Sequence, residues 1–162
     1  MSTFERDNYH WRETYFVLFD ADKRPSLEQM TKVLHGLSDR FQLTGEQADA
    51  NGCFESLTVL APDEYAALDI SYMAGEEVLE QGAALCKELK ASAESAEERT
   101  KLARLPKYNA RFDLLHFEEV TAGSAEDELD ELLDPSALLI VLEALARLTK
   151  GVGIDPQSGT LL

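Results

Sequence analysis

Residues Thr14–Asp20, TYFVLFD, are the stretch around which the rest of the chain is organised. Tyr15, Phe16, Val17, Leu18 and Phe19 form an unbroken apolar run, too short for a buried helix and rich in strand-favouring residues. A strand covered on one face alternates apolar and polar side chains, so a continuous run predicts a strand covered on both faces. Other parts of the chain must supply each cover.

Ahead of this strand, residues 1–12 are polar with scattered aromatics (Phe4, Tyr9, Trp11) and read as an arm that docks late or stays loose. Behind it, Pro25 prevents continuation, and Ser26 followed by Gln29 has capping-box spacing, predicting a helix from near Ser26. Leu27, Met30, Val33, Leu34 and Leu37 give that helix one apolar face. Next come a short extended piece at Phe41–Thr44, a turn-rich stretch (GEQADANG) and a strand at Cys53–Leu60. A second strand, Tyr65–Met73, alternates Leu68, Ile70 and Tyr72 with Asp69 and Ser71, the pattern of one covered and one polar face. The two should pair as a hairpin.

From Gly75 the period returns to 3.6, with Val78, Gly82, Leu85, Cys86 and Leu89 on one stripe. Residues 91–105, ASAESAEERTKLARL, are good helix formers with few apolar anchors, so they read as an extension of that helix or an exposed helical linker ended by Pro106. A strand follows at Ala110–Val120, then an acidic loop at 121–134. Asp134 and Pro135 form an N-cap and N1 pair for a third helix, Ser136–Thr149, ended by Gly151. Its leucines surround most of the circumference, which requires more than one burying neighbour. The tail, VGIDPQSGTLL, reads as a small hairpin.

The order βαββαβ predicts an α+β, ferredoxin-like antiparallel sheet with an added C-terminal helix and terminal hairpin. On this reading residues 1–162 form one domain: an arm (1–12), a βαββαβ core (13–120), an acidic loop (121–134) and the C-terminal helix and hairpin (135–162). The helices starting near Ser26 and Gly75 should cover one face of the central strand. The third helix, or a second subunit, should cover the other.

With 44% hydrophobic residues the chain is globular in composition, and 31 acidic against 15 basic residues set its net charge at −16. Such a surface repels phosphate backbones and anionic lipid, which argues against nucleic-acid and membrane partners and favours a basic protein. The start lacks the apolar segment of a signal peptide and no apolar run reaches about 18 residues, so a cytoplasmic location is expected. Cys53 and Cys86 have no zinc-type spacing and read as reduced core residues.

Two acidic constellations are candidates for function. The first, FDADKRPS, has an apolar strand ending in Asp20 and Asp22. This resembles the first motif of the haloacid-dehalogenase-like phosphatases. The resemblance implies Asp20 as nucleophile and Asp22 as general acid beside magnesium, in a small metal-dependent phosphohydrolase. Lys23 and Arg24 depart from the small residues and Thr or Val of that family. The plainer reading is a turn whose Asp side chains accept backbone hydrogen bonds.

The second is the acidic run Glu118, Glu119, Glu126, Asp127, Glu128, Asp130, Glu131 and Asp134. Eight carboxylates uninterrupted by Lys or Arg read as a solvated loop or as a docking site for a basic partner, without the register of a calcium loop. His10, His35 and His116 share no metal-ligand spacing, and GxSxG, P-loop and GxGxxG motifs are missing. No cofactor is expected.

Residues 144–162, ALARLTKGVGIDPQSGTLL, resemble the C-terminal segment of small bacterial proteins of uncharacterised function, some of them neighbours of toxin and immunity systems. Charge and this local resemblance together imply a non-catalytic, immunity-like or regulatory protein-binding domain. The alternatives are the phosphohydrolase and a homodimer binding a small ligand between sheet and helices.

Overall fold

The computed structural model describes residues 9–61, 66–119, 136–155 and 160–161. In chain order these form β1 (Tyr9–Phe19), α1 (Leu27–Leu37), β2 (Gln42–Ala48), β3 (Phe54–Ala61), β4 (Ala66–Ala74), α2 (Glu76–Leu89), α3 (Ala96–Arg104), β5 (Ala110–Glu119), α4 (Ser136–Thr149), β6 (Val152–Asp155) and β7 (Thr160–Leu161). The class is α+β, with one open antiparallel sheet of six strands extended at its edge by the two-residue β7.

The strand order is β2-β3-β4-β5-β1-β6-β7 and every adjacent pair is antiparallel. This differs from the ferredoxin-like order, in which the first strand lies between the third and fourth strands of the βαββαβ set. Here β5 occupies that place, between β4 and β1. The reason lies in residues 90–107. A single helix after β4 would return the chain to the far end of the sheet and make the next strand parallel to β4. Instead a 3₁₀ turn at Lys90–Ser92 ends α2, and Ser95 caps a separate helix, α3, its Oγ accepting from Glu98 N at 3.1 Å. Helix α2 leads away and α3 leads back. Gly75 N, at the start of α2, donates to Asn109 O, just before β5, at 2.9 Å. Starting at the end where β4 finished, β5 pairs with β4 itself.

The central strand is covered on both faces, as its composition requires. Tyr15, Val17 and Phe19 enter a core with Met30 and Leu34 of α1, Phe54, Leu57, Ile70, Phe112 and Leu114 of the sheet, and Leu138, Val141, Leu142 and Leu145 of α4. Leu18 points the other way, into a second core with Val78, Leu102, Leu105, Tyr108, Val152 and Ile154. Full burial of each such side chain contributes about 1.5–3 kcal/mol. The division of helices corrects the expected one: α1 shares its face with α4, while α2 and α3 take the opposite face. Helix α1 connects β1 to β2, which run parallel at opposite ends of a five-strand span, and right-handed crossover fixes its face. The pair α2–α3 joins antiparallel neighbours, is free of that rule, and fills the side left open.

Local expectations fare differently. The capping box is present: Gln29 N donates to Ser26 Oγ at 3.1 Å and Ser26 N to Gln29 Oε1 at 2.9 Å. Strands β3 and β4 pair as the expected hairpin, and β6 and β7 form the terminal one. Strand β1 starts at Tyr9 rather than Thr14, because β5 runs on to Glu119 and offers the polar segment backbone partners, with an irregularity between Trp11 and Glu13. Strand β2 likewise continues into the stretch read as a turn, with Gly45 at φ 64 where its register with β3 shifts. Cys53 and Cys86 are free and half buried rather than fully buried, and Cys86 packs against the second core.

Helix α4 ends through Lys150, which takes the left-handed conformation (φ 55), while Gly151 N donates to Ala146 O at 2.9 Å. The glycine serves a different need. A Cβ at Gly151 would run into the Leu18 carbonyl oxygen and lie 2.8 Å from Phe19 Cβ. The helix also leaves Leu139 and Ile140 exposed, so its apolar circumference is not fully covered by described residues.

Candidate functional site

Strand β1 places Phe19 in the core and releases the chain at Asp20. Asp20 Oδ1 accepts from Asp22 N at 3.0 Å and so caps a 3₁₀ turn over Ala21–Lys23; both aspartates are exposed. The turn is pinned from β5's side, where Asn109 Oδ1 accepts from Ala21 N at 2.8 Å. Arg24 then reaches across to the β2–β3 turn. Its Nε and Nη2 donate to Phe54 O at 3.1 and 2.8 Å, and Nη1 meets Asp49 Oδ2 at 3.2 Å. Its guanidinium carbon stands 4.0 Å from the Tyr72 ring centroid, a stacked cation–π arrangement. Asp49 accepts from Cys53 N and Asn51 N, and the Cys53 bond is the main reason its carboxyl lies below the usual carboxylate range; the Asn51 bond and Arg24 add to it against partial burial. Burial raises the Tyr72 phenol above its ordinary value, against the opposing Arg24 charge.

The segment FDADKR is thus a strand end tied to its neighbours, with Arg24 as the tie. Among the described residues no group of three His, Cys, Asp or Glu is placed to hold a metal ion, whereas magnesium normally takes several oxygen ligands. The acidic run is split. Glu118 and Glu119 close β5, opposite Ala66 of β4 and His10 and Tyr9 of β1. Glu126, Asp127, Glu128, Asp130, Glu131 and Asp134 lie outside the described residues.

Beyond α2, the face of the sheet carrying the second core becomes polar. Its rungs follow from the register. One aligns Thr58, Asp69, Leu115 and Thr14, and the next aligns Ser56, Ser71, Asp113, Phe16 and Ile154. A third, Met73, Arg111 and Leu18, passes under α2. Asp69 and Asp113 are therefore diagonal neighbours on the central strands. Arg111 Nε meets Asp113 Oδ1 at 2.8 Å, donates from Nη1 to Gln81 of α2 and from Nη2 to Met73 Sδ at 3.1 Å, and stands 5.5 Å from the Phe16 ring. Burial pushes the Asp113 carboxyl up, against the lowering effect of Arg111. The Asp69 carboxyl is pushed up by burial and drawn down only by the Thr58 hydroxyl; no basic described residue faces it.

These shifts make a stability prediction. A folded-state pKa above the unfolded value favours the protonated carboxyl in the fold. That contribution is complete below the ordinary aspartate value of 3.8 and lost as pH rises through the raised folded value, leaving an ionised, half-covered carboxylate at neutral pH. Asp69→Asn is expected to raise the Tm at pH 7 by about 2–4 °C, a gain kept small by solvent screening. Thermal melts from pH 7 to pH 4 should show the advantage shrinking. A neutral or lowered Tm at pH 7 would mean that Asp69 has a cationic partner in the fold.

Sequence reasoning did not single out the Asp69–Asp113–Arg111 cluster, although both segments carry its signal. In LDIS and ARFD, period-two alternation places Asp69 with Ser71, and Arg111 with Asp113, on one strand face each. What the sequence lacks is the adjacency of β4 and β5. Comparison of the chain with protein-family models and with curated proteins finds no match.

Proposed function

We propose that the chain is a non-catalytic protein-binding domain, immunity-like or regulatory in role, working in a bacterial cytoplasm on a basic partner. The observation that carries this reading is Asp69: a half-buried carboxylate on the polar sheet face without a basic described residue against it. A lysine or arginine from a partner would supply the missing charge, and desolvation on docking would strengthen that pairing. Strand β5 runs from Asp113 on this face to Glu118 and Glu119, where the acidic run begins. The net charge of −16 raises the encounter rate of a cationic partner, while the apolar Phe16, Leu115 and Phe117 near the carboxylates supply contact area.

The test is a pull-down from the native host with the wild-type chain, a variant with the eight acids of 118–134 neutralised, and Asp69→Asn. A partner of basic pI is expected, recovered less as salt rises and lost from both variants, with association slowed about tenfold or more by neutralisation. Equal recovery by all three chains would overturn the proposal.

A further inference from the structure

Basic residues are unevenly placed in this acidic chain. Residues 87–107 contain six Lys or Arg (Lys87, Lys90, Arg99, Lys101, Arg104, Lys107) against four Glu, so this segment is positive where the whole is strongly negative. It comprises the last turn of α2, the helix α3 and the 3₁₀ turn at Leu105–Lys107. Between the two helices lies a cavity of about 330 Å³ lined by Cys86, Lys90, Arg99, Leu102 and Ala103. That is the lower end of the range for small-molecule sites, about 300–1,000 Å³.

The lining divides by chemistry. Leu102 is 3% exposed and belongs to the second core, and with Ala103 and the Cys86 thiol it makes an apolar floor. Lys90 and Arg99 are exposed and supply two positive charges. Neighbouring cations are already engaged: Lys101 Nζ stands 3.4 Å from Glu97 Oε1, and Arg104 donates to Lys150 O at 2.6 Å and lies over the Tyr108 ring. Lys90 and Arg99 make no ion pair with a described residue. An apolar floor with two uncommitted cations matches a molecule with an apolar body and a single carboxylate. A polyphosphate would present more charge than two cations meet and nothing for the floor to bury.

We propose that this cavity binds an amphipathic monocarboxylate, a short acyl or aromatic acid of about ten heavy atoms. The carboxylate sits between Lys90 Nζ and the guanidinium of Arg99, whose planar fork suits two oxygens, and the apolar body lies over Leu102, Ala103 and Cys86. The site is on the face opposite α1 and α4.

Cys86 provides the readout. In a Cys53→Ser chain, where Cys86 is the one thiol, its alkylation by iodoacetamide is followed with octanoate or octylammonium, both below micelle-forming concentration. Octanoate is expected to slow alkylation at least threefold at saturation and octylammonium to have little effect. Lys90→Glu with Arg99→Glu should weaken octanoate protection at least tenfold in concentration. Ala103→Phe, which fills the cavity from an exposed position, should abolish protection without lowering the Tm. Equal protection by both amphiphiles, protection that survives the charge reversal, or no protection at all would each overturn the proposal.

Discussion

Replacing Phe112 with alanine is expected to destabilise the protein by about 3–5 kcal/mol, the largest effect of any single side-chain truncation considered. Phe112 is fully buried near the start of β5 and is the ring on which the first core converges. Phe19 lies 4.7 Å away in a tilted contact, Phe54 5.5 Å away edge-on, and Tyr72 6.3 Å away at 65°. These rings come from four strands, so truncation leaves a cavity that no single neighbour can fill without leaving its own strand. For a chain of this length such a loss lowers the Tm by on the order of 10 °C. Urea unfolding should show a lower midpoint at unchanged slope. A cost below about 1 kcal/mol would mean that the cluster repacks and that the first core is not closely packed around this ring.

Gly82→Ala probes the other core, where two effects of opposite sign compete. In an exposed helix the change stabilises by up to about 1 kcal/mol, because alanine is the better helix former. At this position α2 presses against the turn after α3: an added Cβ would run into the Leu105 carbonyl oxygen and lie 3.1 Å from Leu105 C and 3.4 Å from Leu18 Cδ2. The obstacle is backbone, which cannot rotate away. Either α2 lifts from the sheet or the Leu105–Lys107 turn shifts, and overpacking of this kind costs about 1–3 kcal/mol or more. A net loss of about 2 kcal/mol is therefore expected after the gain in propensity is subtracted. Chemical denaturation measures the loss, and a stabilised variant would show that α2 does not pack this closely. Because Gly82 touches Leu18 and Phe112 touches Phe19, the two substitutions act on opposite faces of one strand. Their costs should add to within about 0.5 kcal/mol.

The adjacency of Leu18 and Phe19 marks what was legible without the fold. An apolar run with no alternation identifies a doubly covered strand, because a half-exposed strand would not keep five large apolar residues in a row. The capping box at Ser26 and the alternation around Asp69 were equally readable, since each depends on residues within a few positions of one another. Candidate chemistry behaved differently. Asp20 and Asp22 have the spacing of a phosphatase motif, yet that spacing also suits an Asx turn, and the structure shows the Asp20 side chain accepting from the Asp22 amide. Arg24, a departure from that motif, is the residue that ties β1's end to Phe54, Asp49 and Tyr72.

Sequence alone determined most of the element types, the antiparallel hairpins, the acidic balance and the covering of both faces of Tyr15–Phe19, all of which depend on local periodicity or on composition. Tertiary structure alone decided three things. It placed β5 beside β4, because residues 90–107 fold as a turn and a second helix that returns the chain to its starting end. It set α1 with α4 and α2 with α3, because crossover handedness binds the first helix and close packing assigns the rest. It also brought Asp69, Asp113 and Arg111 onto one patch of sheet, and Lys90 and Arg99 around one cavity. Such groupings depend on strand order and helix return. Residues that are 40 positions apart meet only after the chain has chosen where to turn back.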